Sequence, residues 1–574
     1  MDNISFMLDG KEVKVPKGKT ILEAAKMNGV DIPTLCYHPD LQVRAACRVC
    51  VVEVEGARLL QAACSTPAAE GMVVRTSTRS VREARRMSVE LILSNHPQEC
   101  LTCIRNQNCE LQSVAEKMGL REVRFPRLEK NHRPDISTLS LVRDQRKCIN
   151  CLRCVNTCHK VQGVGVISPM ERGMETVVGT IPGIGLSGVS CVLCGQCVHA
   201  CPVGAIYERD QTAEVWRALA DPQKHVVVQT APAIRASIGE ELGMPPGSLV
   251  TGQLVAALRR LGFNKVFDTD FTADLTILEE GNELLERIKK GGKLPLLTSC
   301  SPGWIKFIEH YYPDLLPHLS SCKSPQQMFG ALAKTYYAEK EGINPADIFV
   351  VSIMPCTAKK YEAGRPEMNS SGYTDVDIVL TTRELGRMLR EAGVNLAGLP
   401  AEEFDAPLGI STGAAVIFGA TGGVCEAALR TVYEVVTGRE LTSVDFVDCR
   451  GLQGIKESTV DLAGTKVRVA IAHGLSNARK LMELIRQGKA DYQFIEIMCC
   501  PGGCIGGGGQ PIPTTMENRA KRIEAIYKED KGMKIRKSHE NPVVQQLYKE
   551  YLEKPLGEKS HHLLHTHYTE RGKY

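Results

Sequence analysis

The sequence predicts a multidomain chain, α+β in its first third, followed by a larger two-lobed α/β domain with parallel sheets. Three observations predict it. First, 574 residues suffice for about three to five domains at roughly 150 residues each. Second, 15 of the 23 cysteines precede residue 202, and cysteine clusters in a reducing compartment serve metal binding or catalysis rather than disulfides. Third, beyond residue 210 apolar runs alternate with helical segments, the pattern of parallel strands joined by helices. A hydrophobic content of 43% with 24% charged residues excludes a disordered or fibrous chain. The net charge of +4 gives no electrostatic case for a nucleic-acid partner. No run approaches about 18 uncharged apolar residues, so no membrane span is expected. The start, MDNISFMLDGKEVK, has neither a basic segment leading into an apolar one nor a twin arginine, and a cytoplasmic location is expected.

In chain order, ISFMLDGKEVKVP (4–16) reads as two short strands turned at Asp9-Gly10, a hairpin signal. TILEAAKMNG (20–29) has Ile21, Leu22, Ala25 and Met27 at helical spacing and Gly29 as the cap. Residues 74–96 form a basic amphipathic helix leading to the next cysteines. The apolar runs 225–233, 294–300, 347–356, 466–474 and 493–500 read as strands. In GQLVAALRRLGF, Leu254, Val255, Leu258 and Leu261 make one helical face.

The cysteine spacings choose among metals. Residues 148–158 and 191–201 repeat the pattern CxxCxxCxxxC. Three cysteines of such a run hold one cube, and the fourth ligates the other cluster, as in bacterial two-cluster ferredoxins. Cys148, Cys151, Cys154 and Cys201 therefore form one [4Fe–4S] set, and Cys158, Cys191, Cys194 and Cys197 the second. Structural zinc sites use paired CxxC units instead. Cys36, Cys47, Cys50 and Cys64 resemble the ligands of a plant-type [2Fe–2S] ferredoxin with a longer first gap. His96, Cys100, Cys103 and Cys109 fit either structural zinc or a [4Fe–4S] cluster with one histidine ligand. The flanking clusters favour iron, because a zinc ion cannot pass electrons along a wire.

In the second half, Cys300, Cys356 and Cys500 stand at the ends of predicted strands, where open α/β sheets gather their sites. Cys504 follows in a glycine-rich loop that admits close backbone approach to a bulky inorganic group. Glu280 and Glu283, three apart in LTILEEGNELLERI, share one helix face. On their own they read as a solvated face.

TSCSPGW (298–304), MPCTAKKYE (354–362) and EIMCCPGGCIGGGGQP (496–511) resemble the three signature motifs of [FeFe]-hydrogenases. The cluster order upstream resembles the long clostridial form of that family, and the likeness spans essentially the whole chain. It divides the chain into a [2Fe–2S] plant-type ferredoxin-like domain at 1–80 and a histidine-ligated [4Fe–4S] domain at 81–140. A bacterial ferredoxin-like domain with two [4Fe–4S] clusters follows at 141–210, then a catalytic domain at 211–574. The resemblance implies an H-cluster: a [4Fe–4S] cube joined through a cysteine sulphur to a diiron unit with CO, cyanide and an azadithiolate. It further implies interconversion of protons, electrons and H2. Cys356, Cys500 and Cys504 would ligate the cube, with Cys504 as the bridge. Lys359 would bond a cyanide, and Ala231, Pro232, Gln326, Met354, Phe418 and Met498 would line a dry pocket. Glu280, Ser320 and Glu283 match the family's proton path.

One motif departs from the family. Its usual TSCCPxW gives a relay thiol, then a ligand; here Cys300 is followed by Ser301. Either Ser301 ligates through oxygen and Cys300 relays protons, or Cys300 moves to the cube. Oxygen is the poorer donor for soft iron–sulphur sites, whereas matching the motif position by position favours Cys300 as the relay. Cys499 is a spare thiol beside Cys500.

The multimeric members this chain resembles pair such a subunit with an NADH-oxidising flavoprotein and a small [2Fe–2S] subunit, and couple H2 to NADH and ferredoxin. No dinucleotide fingerprint occurs in this sequence, so NAD or FMN would sit on a partner. The alternatives are an H2 sensor or an electron-transfer protein without turnover. His561, His562, His565 and His567 read as a tail packing on the domain or a partner, and Cys322, Cys425 and Cys449 as small core residues, Cys322 near the proton path.

Overall fold

The computed structural model describes residues 2–127, 132–462 and 464–572. Strands β1 (Asn3–Leu8) and β2 (Lys11–Pro16) pair antiparallel around Asp9 and Gly10, both left-handed (φ 48° and 82°), as a primed hairpin turn requires. With β3 (Val51–Val54), β4 (Gln61–Ala62) and β5 (Val73–Arg75) they form a five-stranded sheet in the order β2-β1-β5-β3-β4. The helix Ile21–Met27 starts in a capping box between Thr20 and Glu23. Its cap is Asn28 rather than Gly29, which follows in the left-handed region (φ 74°). The basic helix spans Arg79–Ser94, starting after β5 at a Thr78 cap. Buried Arg85 docks it by donating to the Val51 carbonyl from Nε and Nη2 (3.0 and 2.8 Å).

The repeated cysteine runs fold alike. Asn150 and Leu152 in the first, Leu193 and Gly195 in the second, adopt left-handed backbone at equivalent positions (φ 53° and 61°, 57° and 69°). For a leucine that conformation costs about 1–2 kcal/mol, a strain that persists where surroundings demand it. Each run then enters a short helix, beginning at Arg153 and at Gln196. Strands β6 (Leu141–Arg143) and β9 (Ile206–Glu208) pair antiparallel and close the unit at its ends, while β7 (Ser168–Met170) and β8 (Val177–Gly179) form a separate hairpin.

The large domain holds two four-stranded sheets, one per lobe. The first is wholly parallel, in the order β11 (Lys265–Asp268), β10 (His225–Thr230), β13 (Ile348–Met354), β14 (Ile378–Thr381). The second runs β12 (Leu296–Leu297), β17 (Phe494–Met498), β16 (Thr465–His473), β15 (Ile455–Leu462). Two details differ from the sequence expectation. Edge strand β15 is antiparallel to β16, and the run 294–300 yields only a two-residue strand. Pro295 offers no N–H there, and beyond Leu297 the chain leaves the sheet toward the site.

Candidate active site

The strands deliver three thiols to one place. Cys300 lies three residues beyond β12, Cys356 two beyond β13, and Cys500 two beyond β17. Together with Cys504 they line one cavity between the lobes. Ala231, Pro232, Ser301, Gln326, Met354, Lys359, Phe418 and Met498 line the same cavity, as does Cys499. Gly503 and Gly507 of the glycine loop line the same cavity, and the loop also packs closely on its neighbours. A side chain at Gly507 would meet the Pro355 carbonyl oxygen at 2.1 Å, and one at Gly508 the Cys194 carbonyl oxygen at 2.2 Å. These glycines press backbone against backbone, which seats Cys504 beside the Cys356 loop and joins the cavity wall to the accessory domain.

The electrostatics are those of a dry pocket. Burial, then the neighbouring Cys500, pushes the Cys504 thiol up to about 12. Cys356 is raised by the same two causes. The Cys300 thiol is raised by burial, then by the charges of Glu280 and Cys504, which places Cys300 between the cavity and Glu280. Lys359 Nζ donates to Glu362 Oε2 (2.8 Å) and to the Cys300 carbonyl (3.2 Å). Glu362 also accepts from Gln326 Nε2 (3.0 Å), while Gln326 Oε1 is buried without a protein partner. Glu362 thus aims both polar side chains. Its signal was its place three residues after Lys359 in the same motif. Ser301 Oγ accepts the Cys499 N–H at 3.3 Å. The Cys499 thiol lies within hydrogen-bonding reach of both Cys500 and Cys194.

Glu280 and Glu283 lie on the buried helix Thr269–Lys290 and do not form a solvated face. Glu280 is 3% exposed. Burial, reinforced by the charge of Glu283, pushes its carboxyl up to about 8, and Ser320 bonds it. Ser320 Oγ also donates to Glu283 Oε2 (2.8 Å), which pairs outward with Arg287 (2.6 Å). Cys300, Glu280, Ser320, Glu283 and Arg287 therefore run in order from the cavity toward the surface.

The remaining predicted ligands also gather in four groups. Cys36 reaches Cys47 and Cys64, and Cys50 reaches Cys64, within hydrogen-bonding distance. His96, Cys100, Cys103 and Cys109 line one cavity of about 310 Å³. Cys151 has Cys201 and Cys154 as its nearest thiols, and Cys154 has Cys148 and Cys201. Cys158 has Cys194 beside it, and Cys191 has Cys158 and Cys194; Cys197 neighbours Cys194 and Cys191, then Cys154 and Cys158. The crossing of ligands between the two runs is thus present in the geometry. No disulfide joins any of the cysteines among the described residues. Burial pushes Cys154 and Cys191 up to about 12; as ligands they would bind as thiolates, with the cationic metal core offsetting that cost. The donor sets therefore fit iron–sulphur clusters.

The groups are contiguous. Cys47, Cys109, Cys148 and Cys201 share one packed cluster of side chains. Cys148, Cys154, Cys158, Cys191, Cys197 and Cys356 share the next, and Cys194, Cys499 and Cys500 the third.

The unassigned residues fall as follows. Cys425 and Cys449 are buried, their thiols within hydrogen-bonding reach of each other. Cys322 is buried, and its N–H donates to Ser320 Oγ (3.2 Å). The C-terminal tail packs on the large domain through His565 and through Arg571, whose Nε donates to Glu309 (2.7 Å).

Comparison with known proteins agrees with this arrangement. Residues 224–508 match the family described as iron only hydrogenase large subunit, C-terminal domain, and 516–571 match iron hydrogenase small subunit. Residues 1–79 match a 2Fe-2S iron-sulfur cluster binding domain, and 147–205 a 4Fe-4S dicluster domain. Residues 85–124, the stretch that carries His96, Cys100, Cys103 and Cys109, match the NADH-ubiquinone oxidoreductase-G iron-sulfur binding region. The NADP-reducing hydrogenase subunit HndD of Solidesulfovibrio fructosivorans is 53% identical over the full length of both chains. Iron hydrogenase 1 of Clostridium pasteurianum is 40% identical, covering 98% of this chain and 99% of its own. A solved apo form of the [FeFe]-hydrogenase HydA1 from Chlamydomonas reinhardtii superposes with a TM-score of 0.57 at 47% identity, covering 62% of this chain and 99% of that one. With a thiol-lined cavity at the end of a row of cluster sites, and full-length identity to hydrogenases, the chain belongs to the [FeFe]-hydrogenase family.

Proposed function

We propose that the chain interconverts 2H+ + 2e− and H2 as the catalytic subunit of an assembly coupled to a nicotinamide nucleotide, by the following division of labour. Cys356, Cys500 and Cys504 hold the cube, and Cys504 carries the link to the diiron unit. Lys359, anchored by Glu362, presents its remaining donors to the cyanide side, and Gln326, Met354, Phe418 and Met498 keep the pocket dry. When bound, the H-cluster supplies the recombination of protons and electrons. Protons move between Cys300 Sγ, Glu280, the Ser320 hydroxyl and Glu283, with Arg287 at the outer end. Cys36, Cys47, Cys50 and Cys64 would hold a [2Fe–2S] cluster, the His96 group a third cube beside the two of the repeated runs, and these clusters would supply electron transfer toward the cavity wall at Cys194. The observation that carries the reading is the cavity itself, which meets a row of thiol groups on one side and a buried acid path on the other. A sensor or electron-transfer protein has no need of that path.

The relative named as an NADP-reducing hydrogenase subunit supports placement in a multisubunit complex. A flavoprotein that oxidises NADH or NADPH and a small [2Fe–2S] subunit are the proposed partners, with ferredoxin as a second electron carrier. No helix among the described residues is long and apolar enough to cross a membrane, in keeping with a cytoplasmic subunit. The test is reconstitution: the matured chain alone should evolve H2 from an artificial low-potential donor, and should reduce a nicotinamide nucleotide with H2 only when the flavoprotein is added.

Two further results are expected. The matured chain should carry about 20 irons, from one [2Fe–2S], three [4Fe–4S] and a six-iron H-cluster; metal analysis that finds one stoichiometric zinc and about four fewer irons would remove the His96 site from the wire. The second concerns pH. Because the Glu280 carboxyl titrates near 8, it holds its proton below that pH and loses it above. H2 evolution needs the protonated carrier, so it should fall as pH rises through about 8. Glu280→Gln, neutral at every pH but unable to relay, should lose activity by about 10²–10⁴-fold and lose this pH step. A pH–rate profile for H2 evolution checks both.

A further inference from the structure

Two carboxylates one helical turn apart grip consecutive serines of the proton path. Glu283 accepts from the Ser320 hydroxyl (2.8 Å) and from the Ser321 N–H (3.2 Å). Glu279 reaches Ser321 through the C-terminal tail. His565 Nε2 lies 3.1 Å from Glu279 Oε2, and His565 Nδ1 lies 2.8 Å from Ser321 Oγ. Glu279 also accepts from the Tyr548 hydroxyl (2.5 Å) and from the Leu556 N–H (2.9 Å). Burial pushes the Glu279 carboxyl up, but the bonds from His565, Tyr548 and Leu556 outweigh it and hold it below its ordinary value. An ionised Glu279 can only accept, so His565 Nε2 carries a proton toward it, and Nδ1 is paired with the Ser321 hydroxyl. The tail backbone reinforces the grip: the Thr566 N–H donates to the Ser321 carbonyl and the Lys323 N–H to the Leu564 carbonyl, each at 2.8 Å. His565, Tyr548 and Leu556 all lie in the segment that matches the small-subunit family.

We propose that His565 is a positioning residue of the proton path: the Glu279–His565–Ser321 chain fixes the loop that holds the Ser320 hydroxyl between Glu280 and Glu283. The proposal rests on the reading of Glu280, Ser320 and Glu283 as that path. Proton transfer requires heavy atoms about 2.6–3.2 Å apart, and a displacement of about 1 Å can cost on the order of a hundredfold in rate. Mere core filling does not explain the residue, because a buried imidazole joined to a carboxylate carries a desolvation cost that an apolar side chain would avoid.

The matured full-length protein tests it with His565→Phe, which fills the space without either bond, and His565→Gln, which can donate to Glu279 and accept from Ser321. His565→Phe should lower H2 evolution about tenfold or more and raise its solvent deuterium isotope effect. The infrared bands of CO and cyanide and the reduction of the accessory clusters by dithionite should stay unchanged, and His565→Gln should recover most of the rate. The proposal is overturned if His565→Phe keeps full turnover, if the infrared bands are lost with the rate, or if glutamine is no better than phenylalanine. Ser320→Ala is measured alongside. If that variant also keeps full turnover, the path reading itself has failed; if it is slow while His565→Phe is fast, only the role of His565 has.

Discussion

Cys504→Ala should lose the diiron part of the H-cluster and all H2 turnover, while the accessory clusters survive. Cys504 is buried against Cys500 and Lys359, on the cavity wall that the glycine loop builds. Alanine leaves no donor there, and the loop itself keeps its backbone contacts with Pro355 and Cys194. The accessory ligands all lie between residues 36 and 201 and pack largely in other cores, so their electron paramagnetic resonance signals should be those of the parent. The CO and cyanide infrared bands should vanish. Full turnover in this variant would show that the site has been assigned to the wrong thiols.

Cys300→Ala should behave in the opposite way, with the cluster kept and the rate lost. The Cys300 thiol feels the charge of Glu280 on one side and of Cys504 on the other, the position of a relay between the acid path and the cavity. Removing a group that transfers a proton costs about 10²–10⁴-fold, or about 3–5 kcal/mol in the barrier. The infrared bands should persist. Ser301→Cys should be tolerated, since it restores the commoner motif on a side chain that now accepts the Cys499 N–H. Loss of the whole H-cluster in Cys300→Ala would make Cys300 the ligand and leave the protons to another route.

Much of this was legible because iron–sulphur ligation is written in short spacings. The exchange of Cys158 and Cys201 between two runs follows from the pattern, and the left-handed Leu152 and Leu193 supply only the backbone detail. The strand-end thiols were legible because β13 and β17 are continuous apolar runs and the apolar LPLL leads to Cys300, although only Leu296–Leu297 pairs there. Strand β15 was not, since KESTVD at a sheet edge holds one apolar residue, Val460, and carries no buried run. The solvated reading of Glu280 failed for a related reason: periodicity shows which residues share a face, not what covers that face. The role of His565 was illegible because its partners lie 286 and 244 residues away. The close packing of Gly507 and Gly508 on the Pro355 and Cys194 carbonyls was illegible, because those partners are distant in sequence.

The most direct test is the infrared spectrum of the chain after maturation with the diiron unit. The account predicts CO and cyanide bands that shift when the protein is exposed to H2 and are absent from Cys504→Ala. A chain with its full accessory iron but without those bands would be an electron-transfer protein, and the assignment of H2 chemistry to this cavity would be wrong.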